Sequence, residues 1–179
     1  MISYLGHKRC ASPVYLCVES TKLKVSELLG KAVIGMADGA KLGTVKDVLI
    51  DVTSLSATAL LVSGEAGQGN LPLERISGIG ADAVTVESSQ ALLMSPQTGT
   101  LRPATEIKGL PVVDVTGNAI GNVHDMTLYG DKVESIEVRS GGLFGIGAND
   151  SIIPVTALRS IGSKLVTVEV PPTPVPSTP

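Results

Sequence analysis

Few side chains in this sequence are placed to do chemistry together. His124 and Asp125 are neighbours, and neighbours on a strand point to opposite faces, so they cannot act as a catalytic base and the carboxylate that orients it. Lys46 stands in place of His124 in a second, similar segment, which indicates a tolerant surface position. No Gly-x-Ser-x-Gly segment marks a nucleophilic serine. The sequence therefore predicts that the protein is not an enzyme.

Cys10 and Cys17 both lie in the first twenty residues. Their spacing fits no common zinc motif, and no group of histidines completes one. Two thiols are also too few for the disulfide framework of a small secreted protein. We expect two free thiols in a reducing compartment, and no metal site.

Two Gly-Ile-Gly segments, at 78–80 and 145–147, raise the question of a nucleotide loop. A dinucleotide loop follows a strand and opens a full helix, and no helical pattern follows either segment. Scattered aspartates likewise lack the alternating ligands and closing glutamate of an EF-hand. We interpret these glycines and aspartates as turn formers and expect no cofactor. The aspartates are Asp38, Asp47, Asp51, Asp114 and Asp125.

The composition argues against several functional classes. The net charge is −3, the pI is about 5.4, and the aromatic residues are three Tyr, one Phe and no Trp, which argues against direct nucleic-acid binding. The longest apolar run, Val14 to Val18, is shorter than the ~18 residues of a membrane span or the ~7–15 of a signal-peptide core. We expect a cytoplasmic protein. Four dispersed basic residues predict only weak attraction to anionic lipid: Lys8, Arg9, Lys22 and Lys24.

Two blocks of sequence occur twice. Residues 38–48 align with 116–126, so that Gly39 matches Gly117, and residues 71–87 align with 153–169, so that Pro72 matches Pro154. The copies are therefore 78 and then 82 residues apart, and the second copy holds four more residues between the blocks. The predicted organisation is an N-terminal arm (1–26), a first repeat (27–88), a linker (89–104), a second repeat (105–170) and a disordered Pro-rich tail (171–179).

Each repeat has the pattern of a small all-β unit. Segments such as 82–87 and 164–170 alternate with period two and are rich in β-branched residues, as half-buried strands are. One helical turn is expected at 73–76 and another at 155–158. Strands are predicted near 32–37, 43–52, 56–63, 69–73 and 82–87, and near 110–115, 121–129, 132–140, 150–155 and 164–170.

Six residues that recur in both repeats are predicted to shape the turns. Gly39 and Gly117 are expected to supply a positive φ. Gly43 and Gly121 are expected to allow a bulge or a close approach of another backbone. Asp47 and Asp125 are expected to accept backbone N–H groups at a turn.

The segment GGLFGIGANDSIIPVTAL, at 141–158, resembles the most recognisable motif of the PRC-barrel family. The segments at 38–62 and 117–138 resemble the opening hairpin of the same family, whereas the first repeat has GEAGQGN, at 64–70, in place of the aromatic loop. The resemblance implies two tandem PRC-type β-barrels, a stand-alone, non-enzymatic protein-interaction module without a cofactor. The family includes the cytoplasmic domain of the photosynthetic reaction-centre H subunit and the C-terminal domain of a ribosome maturation factor.

A glycine-rich apolar loop is the best candidate for a partner site. Large apolar side chains between glycines form either a plug for the barrel or an exposed contact patch, and the residues are Gly141, Gly142, Leu143, Phe144, Gly145 and Ile146. We expect a protein partner, in a photosynthetic or other membrane complex. The alternative is an accessory factor in ribosome or RNA metabolism that binds ribosomal protein. A homodimer is also expected, because a second copy can cover an open sheet edge.

Overall fold

A computed structural model of the chain describes residues 22–65, 67–94, 101–141, 149–169 and 173–174. Fifteen strands lie in these ranges. The strands are β1 (Lys22–Lys24), β2 (Ala32–Gly35), β3 (Lys41–Asp51), β4 (Ser56–Gly64), β5 (Gly67–Pro72), β6 (Ile76–Ile79), β7 (Ala83–Val86), β8 (Leu101–Pro103), β9 (Pro111–Asp114), β10 (Ala119–Tyr129), β11 (Lys132–Ser140), β12 (Asn149–Pro154), β13 (Leu158–Ile161), β14 (Val166–Val168) and β15 (Thr173–Pro174).

The helices of the described residues are short. Two four-residue α-helices, α1 (Val25–Leu28) and α2 (Ala104–Ile107), precede the first long hairpin of each repeat. Single 3₁₀ turns lie at Leu73–Arg75, Ser89–Ala91 and Val155–Ala157. Neither α-helix has the length or apolar character to cross a membrane.

The two repeats have the same topology. In the first, β2, β3, β4 and β5 pair in antiparallel succession, β7 runs parallel to β2, and β6 pairs with β7. In the second, β9 to β12, β14 and β13 repeat this arrangement element for element. The prediction of an all-β fold with two tandem barrels is confirmed.

Alternating burial explains why these segments form strands. On β7 and β14 the valines at 84, 86, 166 and 168 are fully buried, whereas Thr85 and Thr167 between them are partly exposed. β-Branched side chains suit this half-buried pleated surface. Most buried apolar side chains of both repeats belong to one continuous cluster. Burial of that cluster is the main term that holds the repeats together.

The ten predicted strands agree with β2–β5, β7, β9–β12 and β14 to within about three residues, and both predicted helical turns are observed. Strands β6 and β13 were not predicted, because Ser77-Gly78 and Arg159-Ser160 interrupt the apolar pattern. Strands β1 and β8 lie in stretches assigned to the arm and the linker. Thr173–Pro174, within the predicted tail, forms β15 and pairs with β12.

The glycines of the first hairpins have distinct roles. Gly39 and Gly117 have φ of +63° and +90°, as a tight turn requires. At Gly43 and Gly121 the opposite strand comes close: a Cβ would lie 2.5 Å from the Ser63 carbonyl oxygen and 2.4 Å from that of Arg139. The strand register also shifts beside each of these two glycines, which marks a bulge.

These geometries predict that two alanine substitutions lower the free energy of unfolding by different amounts. Gly121→Ala should lower the free energy of unfolding by about 2 kcal/mol, because the new methyl group meets backbone that cannot move away alone. Gly117→Ala should cost about 1 kcal/mol, because only its φ is unfavourable and nothing lies within 4 Å of the added Cβ. Urea denaturation of both variants measures the difference. Equal costs, or a larger cost for Gly117→Ala, would contradict the close approach.

Asp114 closes the turn between β9 and β10. Its carboxylate accepts hydrogen bonds from the Thr116 hydroxyl (2.7 Å), the Asn118 backbone N–H (2.8 Å) and the Asn118 side-chain amide (3.0 Å). These donors, led by the Thr116 hydroxyl, lower the pKa of Asp114 from 3.8 to about 2. Since the folded-state pKa is the lower one, the stability that this carboxylate contributes is present above pH ~4 and is lost as the pH falls toward 2.

An NMR titration of the Asp114 carboxyl carbon tests this network. Thr116→Val with Asn118→Ala should raise the pKa of Asp114 toward its ordinary value, because the charged form loses its donors. Asn122→Ala is the control, since its amide binds the Gly109 carbonyl at 2.9 Å instead, and it should leave that pKa unchanged. A wild-type carboxyl that already titrates near 3.8 would refute the proposed cause.

Candidate functional site

Each repeat receives a strand from the other. β1 pairs antiparallel with β10 of the second repeat, with Lys22 opposite Tyr129 and Lys24 opposite Thr127. β8 pairs antiparallel with β3 of the first repeat, with Leu101 opposite Asp51. Since β3 and β10 occupy equivalent places, the two exchanges are reciprocal.

The helical turn that follows each exchanged strand is capped across the same boundary. The residues before α1 and α2 are Lys24 and Pro103, and neither side chain caps the turn. Asp125 instead accepts hydrogen bonds from the Ser26 backbone N–H (3.3 Å) and hydroxyl (2.5 Å). Helix ends leave N–H groups that need such acceptors. Asp125 of the second repeat therefore caps α1, the helical turn at the start of the first repeat.

Asp47 makes the matching contact in the other direction. It accepts the Thr105 backbone N–H at 3.2 Å and a hydrogen bond from the Thr105 hydroxyl. Asp47 and Asp125 are only 5% and 8% exposed, and each also accepts the N–H of its following residue at 2.8 Å. The sequence had placed both carboxylates at local turns, and the partners on the other repeat carry no sequence signal because they lie 58 and 99 residues away.

A third contact lies where the two repeats meet edge to edge. Ser56 at the start of β4 pairs with Lys132 at the start of β11. The Ala57 N–H donates to the Asp131 carbonyl at 2.7 Å, and the Val133 N–H donates to the Leu55 carbonyl at 2.9 Å. Equivalent residues thus face each other, as in the isologous interface of a two-fold dimer. The repeats are related by a pseudo-two-fold axis at this point.

The two repeats match the same family model. Residues 20–93 and residues 100–173 each match the PRC-barrel domain. The chain belongs to the PRC-barrel family. Each matched stretch includes the exchanged strand and its helical turn, so each PRC repeat sends its first elements onto the other barrel. The comparison with curated proteins found no match.

PRC-barrel domains are interaction and assembly modules. In this chain the described residues show which contacts hold two such repeats to each other. The exchanged strands, the buried aspartates and the β4–β11 contact are all engaged within the chain. Among the described residues no group of three His, Cys, Asp or Glu side chains is arranged to hold a metal ion. The contacts that both PRC repeats make in common therefore join the repeats to each other.

The largest difference between the PRC repeats is one hairpin. β4 and β5 are joined by residues 65–66, whereas β11 and β12 are joined by residues 141–148. The connection before β4 is in turn two residues longer than the one before β11. These two differences account for the four extra residues of the second repeat. The insertion carries the apolar loop identified from the sequence.

The base of that hairpin is well defined. β11 and β12 pair as far as Ser140 and Asn149. Just inside this pair, the Arg139 guanidinium donates two hydrogen bonds to Asp150, at 2.7 and 2.8 Å. The Arg139 guanidinium lowers the pKa of the Asp150 carboxyl, mainly through these hydrogen bonds. Gly141 begins the loop with φ of +74°, and Gly142, Leu143, Phe144, Gly145 and Ile146 lie outside the described residues.

The remaining sequence candidates lie in separate places. His124 and Lys46 sit at equivalent strand bulges, where the β10–β11 and β3–β4 registers shift. His124 borders a shallow surface depression together with Arg139 and Gly141. Gly78 and Gly80 lie at the end of β6 and its turn. Cys10, Cys17 and the second Gly-Ile-Gly segment lie outside the described residues.

Substituting either buried aspartate should weaken both PRC repeats at once. Asp125→Asn or Asp47→Asn places an NH₂ group among N–H and O–H donors, and we expect the free energy of unfolding to fall by about 2 kcal/mol. Because the carboxylate caps the opposite repeat, thermal unfolding should remain one transition. Asp82→Asn, at an exposed position, controls for the lost charge and should change stability little. Two separate transitions in calorimetry would show that the repeats do not depend on each other.

Proposed function

We propose that this protein is a non-enzymatic assembly module that binds a protein partner through the loop at 141–148 of its second PRC repeat. The supporting observation is that this loop is the main insertion distinguishing the repeats. An insertion between two paired strands adds surface without disturbing the barrel. Interaction modules place their specific contacts on such loops while a rigid scaffold positions them.

The chemistry of the loop favours a protein partner. Leu143, Phe144 and Ile146 offer large apolar side chains, and Phe144 is the only phenylalanine of the chain. Apolar and aromatic anchors at the centre of an interface supply most of its binding energy. The Arg139–Asp150 pair and the Ser140–Asn149 pairing hold the two ends of the loop together, which lowers the entropy lost on binding.

The partner context follows from the family resemblance. The resemblance to the cytoplasmic domain of the reaction-centre H subunit supports a cytoplasmic protein that docks on a photosynthetic or other membrane complex. Resemblance to the ribosome maturation factor supports the alternative of a ribosomal protein as partner. The net charge of −3 favours protein over nucleic acid in either case. Co-sedimentation with ribosomal subunits separates the two contexts.

The loop is tested by a double variant, Leu143→Asp with Phe144→Asp. Two buried charges in place of two apolar anchors should reduce recovery of the partner by at least about tenfold, measured by quantitative mass spectrometry after pull-down from native cell lysate. The control is Met36→Asp with Val115→Asp, which changes two exposed apolar side chains on other turns and should leave recovery unchanged.

The same double variant distinguishes two roles of the loop, an exposed contact patch and a plug of the barrel. If the loop plugs the barrel, the double variant will lose several degrees of thermal midpoint, because charges replace buried side chains. A folded variant with wild-type stability and undiminished partner recovery would refute the loop as the contact site.

A further inference from the structure

The two strand exchanges are equivalent in geometry but differ in charge. Lys22 on β1 forms an ion pair with Glu134 at 2.7 Å, and Lys24 forms one with Glu137 at 2.6 Å. Both acidic residues belong to β11 of the second repeat, whereas both lysines lie at the start of the first PRC repeat. These pairs therefore join the exchanged strand to a repeat from which it is more than a hundred residues distant.

The equivalent positions of the other exchange are uncharged. The registers place Leu101 and Pro103 of β8 where β1 has Lys22 and Lys24. The positions equivalent to Glu134 and Glu137 on β4 are Thr58 and Leu61, since Ser56 pairs with its equivalent Lys132. The Thr58 hydroxyl turns to the Leu49 carbonyl at 3.2 Å. At these four matched positions one exchange is thus charged on both sides and the other is uncharged. Elsewhere in the second exchange, β8 carries Arg102, which lies 3.8 Å from Glu106, and β3 carries Asp51 opposite Leu101.

A strand bulge explains how Glu134 reaches the exchanged strand. Glu134 is the extra residue where the β10–β11 register shifts, and Thr58 is the extra residue at the same shift between β3 and β4. A bulge turns its extra side chain away from the regular ladder. Glu137 is opposite Asp125 and its side chain is 17% exposed, so Lys24 neutralises a crowded acidic site. Its hydrogen bond to Glu137 raises the pKa of Lys24.

Mismatched pairings would remove both lysine–glutamate ion pairs. If two second repeats paired, Glu134 and Glu137 would face Leu101 and Pro103. If two first repeats paired, the lysines of β1 would face Thr58 and Leu61 instead of the two glutamates, and Lys22 would lie opposite Asp51, the equivalent of Tyr129. Exposed ion pairs add little stability, but unpaired or like charges discriminate strongly between alternative partners.

We propose that Lys22, Lys24, Glu134 and Glu137 form a pairing code that makes a first repeat associate with a second repeat rather than with its own kind. The partner that the code admits is a second repeat of this sequence, whether in the same chain or in a second copy. The interface is isologous, so its shape does not distinguish a first–second pairing from a pairing of two like repeats. The charges of the four residues make that distinction. This role is independent of the loop at 141–148.

Two charge-reversed chains test the code. The first carries Glu134→Lys and Glu137→Lys, and the second carries Lys22→Glu and Lys24→Glu. In each chain alone, β1 meets like charges, and hydrogen–deuterium exchange of the amides at 22–28 should rise about tenfold. Mixed in low salt, the two chains offer opposite charges only to each other, and a 1:1 heterodimer with restored protection should appear in light scattering coupled to size exclusion.

Two controls separate the code from general effects of charge and folding. The quadruple variant with all four reversals restores complementary pairs within one chain and should be a wild-type-like monomer. Glu74→Lys with Glu87→Lys makes the same change in net charge at exposed positions away from the exchange and should alter neither protection nor assembly. Half-molar salt should abolish the heterodimer, since it screens exposed charges.

Every outcome decides the proposal. Wild-type protection in both reversed chains, or a mixture that stays two separate monomers, would overturn it. If the reversed chains do not fold alone, recovery of folded heterodimer on mixing supports the code. Failure to recover it while the quadruple variant is folded would reject the code.

Discussion

The arrangement of the molecule depends on a buried carboxylate that caps a helical turn of the other repeat. A four-residue helix is far too short to persist alone in water, and Lys24 and Pro103 cannot cap α1 and α2 themselves. Asp125 and Asp47 supply the acceptors, and in return the Ser26 and Thr105 donors satisfy two carboxylates that would be costly to bury alone. Neither repeat can complete its hydrogen bonds without the other.

This mutual capping explains why the sheet runs through both repeats. The exchanged strands cover the outer edges of β3 and β10, and β4 meets β11 at the pseudo-two-fold axis. Strand edges left bare invite aggregation, and here each repeat covers an edge of the other. Fusion of the two halves of an isologous, strand-exchanging dimer would produce this arrangement. The linker between them then makes the association intramolecular, which raises the effective concentration of each repeat for the other.

The sequence was sufficient for the parts of the fold that depend on local pattern. Period-two alternation predicted β7 and β14, and the recurring glycines predicted the turns, because burial on one face gives a repeating pattern along a single strand. The exchanged strands β1 and β8 have no such sequence pattern. Lys22–Lys24 and Leu101–Pro103 have only three residues each, too few to show a period, and they become strands only through partners elsewhere in the chain. Recurrence did single out Asp47 and Asp125, but recurrence does not reveal which donors a carboxylate meets.

The division between shared and unshared residues supports the proposed contact site. The residues that both repeats share stabilise the pair. They are the buried valines, the buried carboxylates of Asp47 and Asp125, and the close-approach glycines. Residues engaged in this way cannot change to suit a partner without loss of stability. The repeats differ in two respects: an eight-residue connection stands in place of two residues, and two lysine–glutamate ion pairs stand where the equivalent positions are uncharged. In a duplicated fold held by reciprocal contacts, we therefore expect specificity to arise from residues that differ between the repeats.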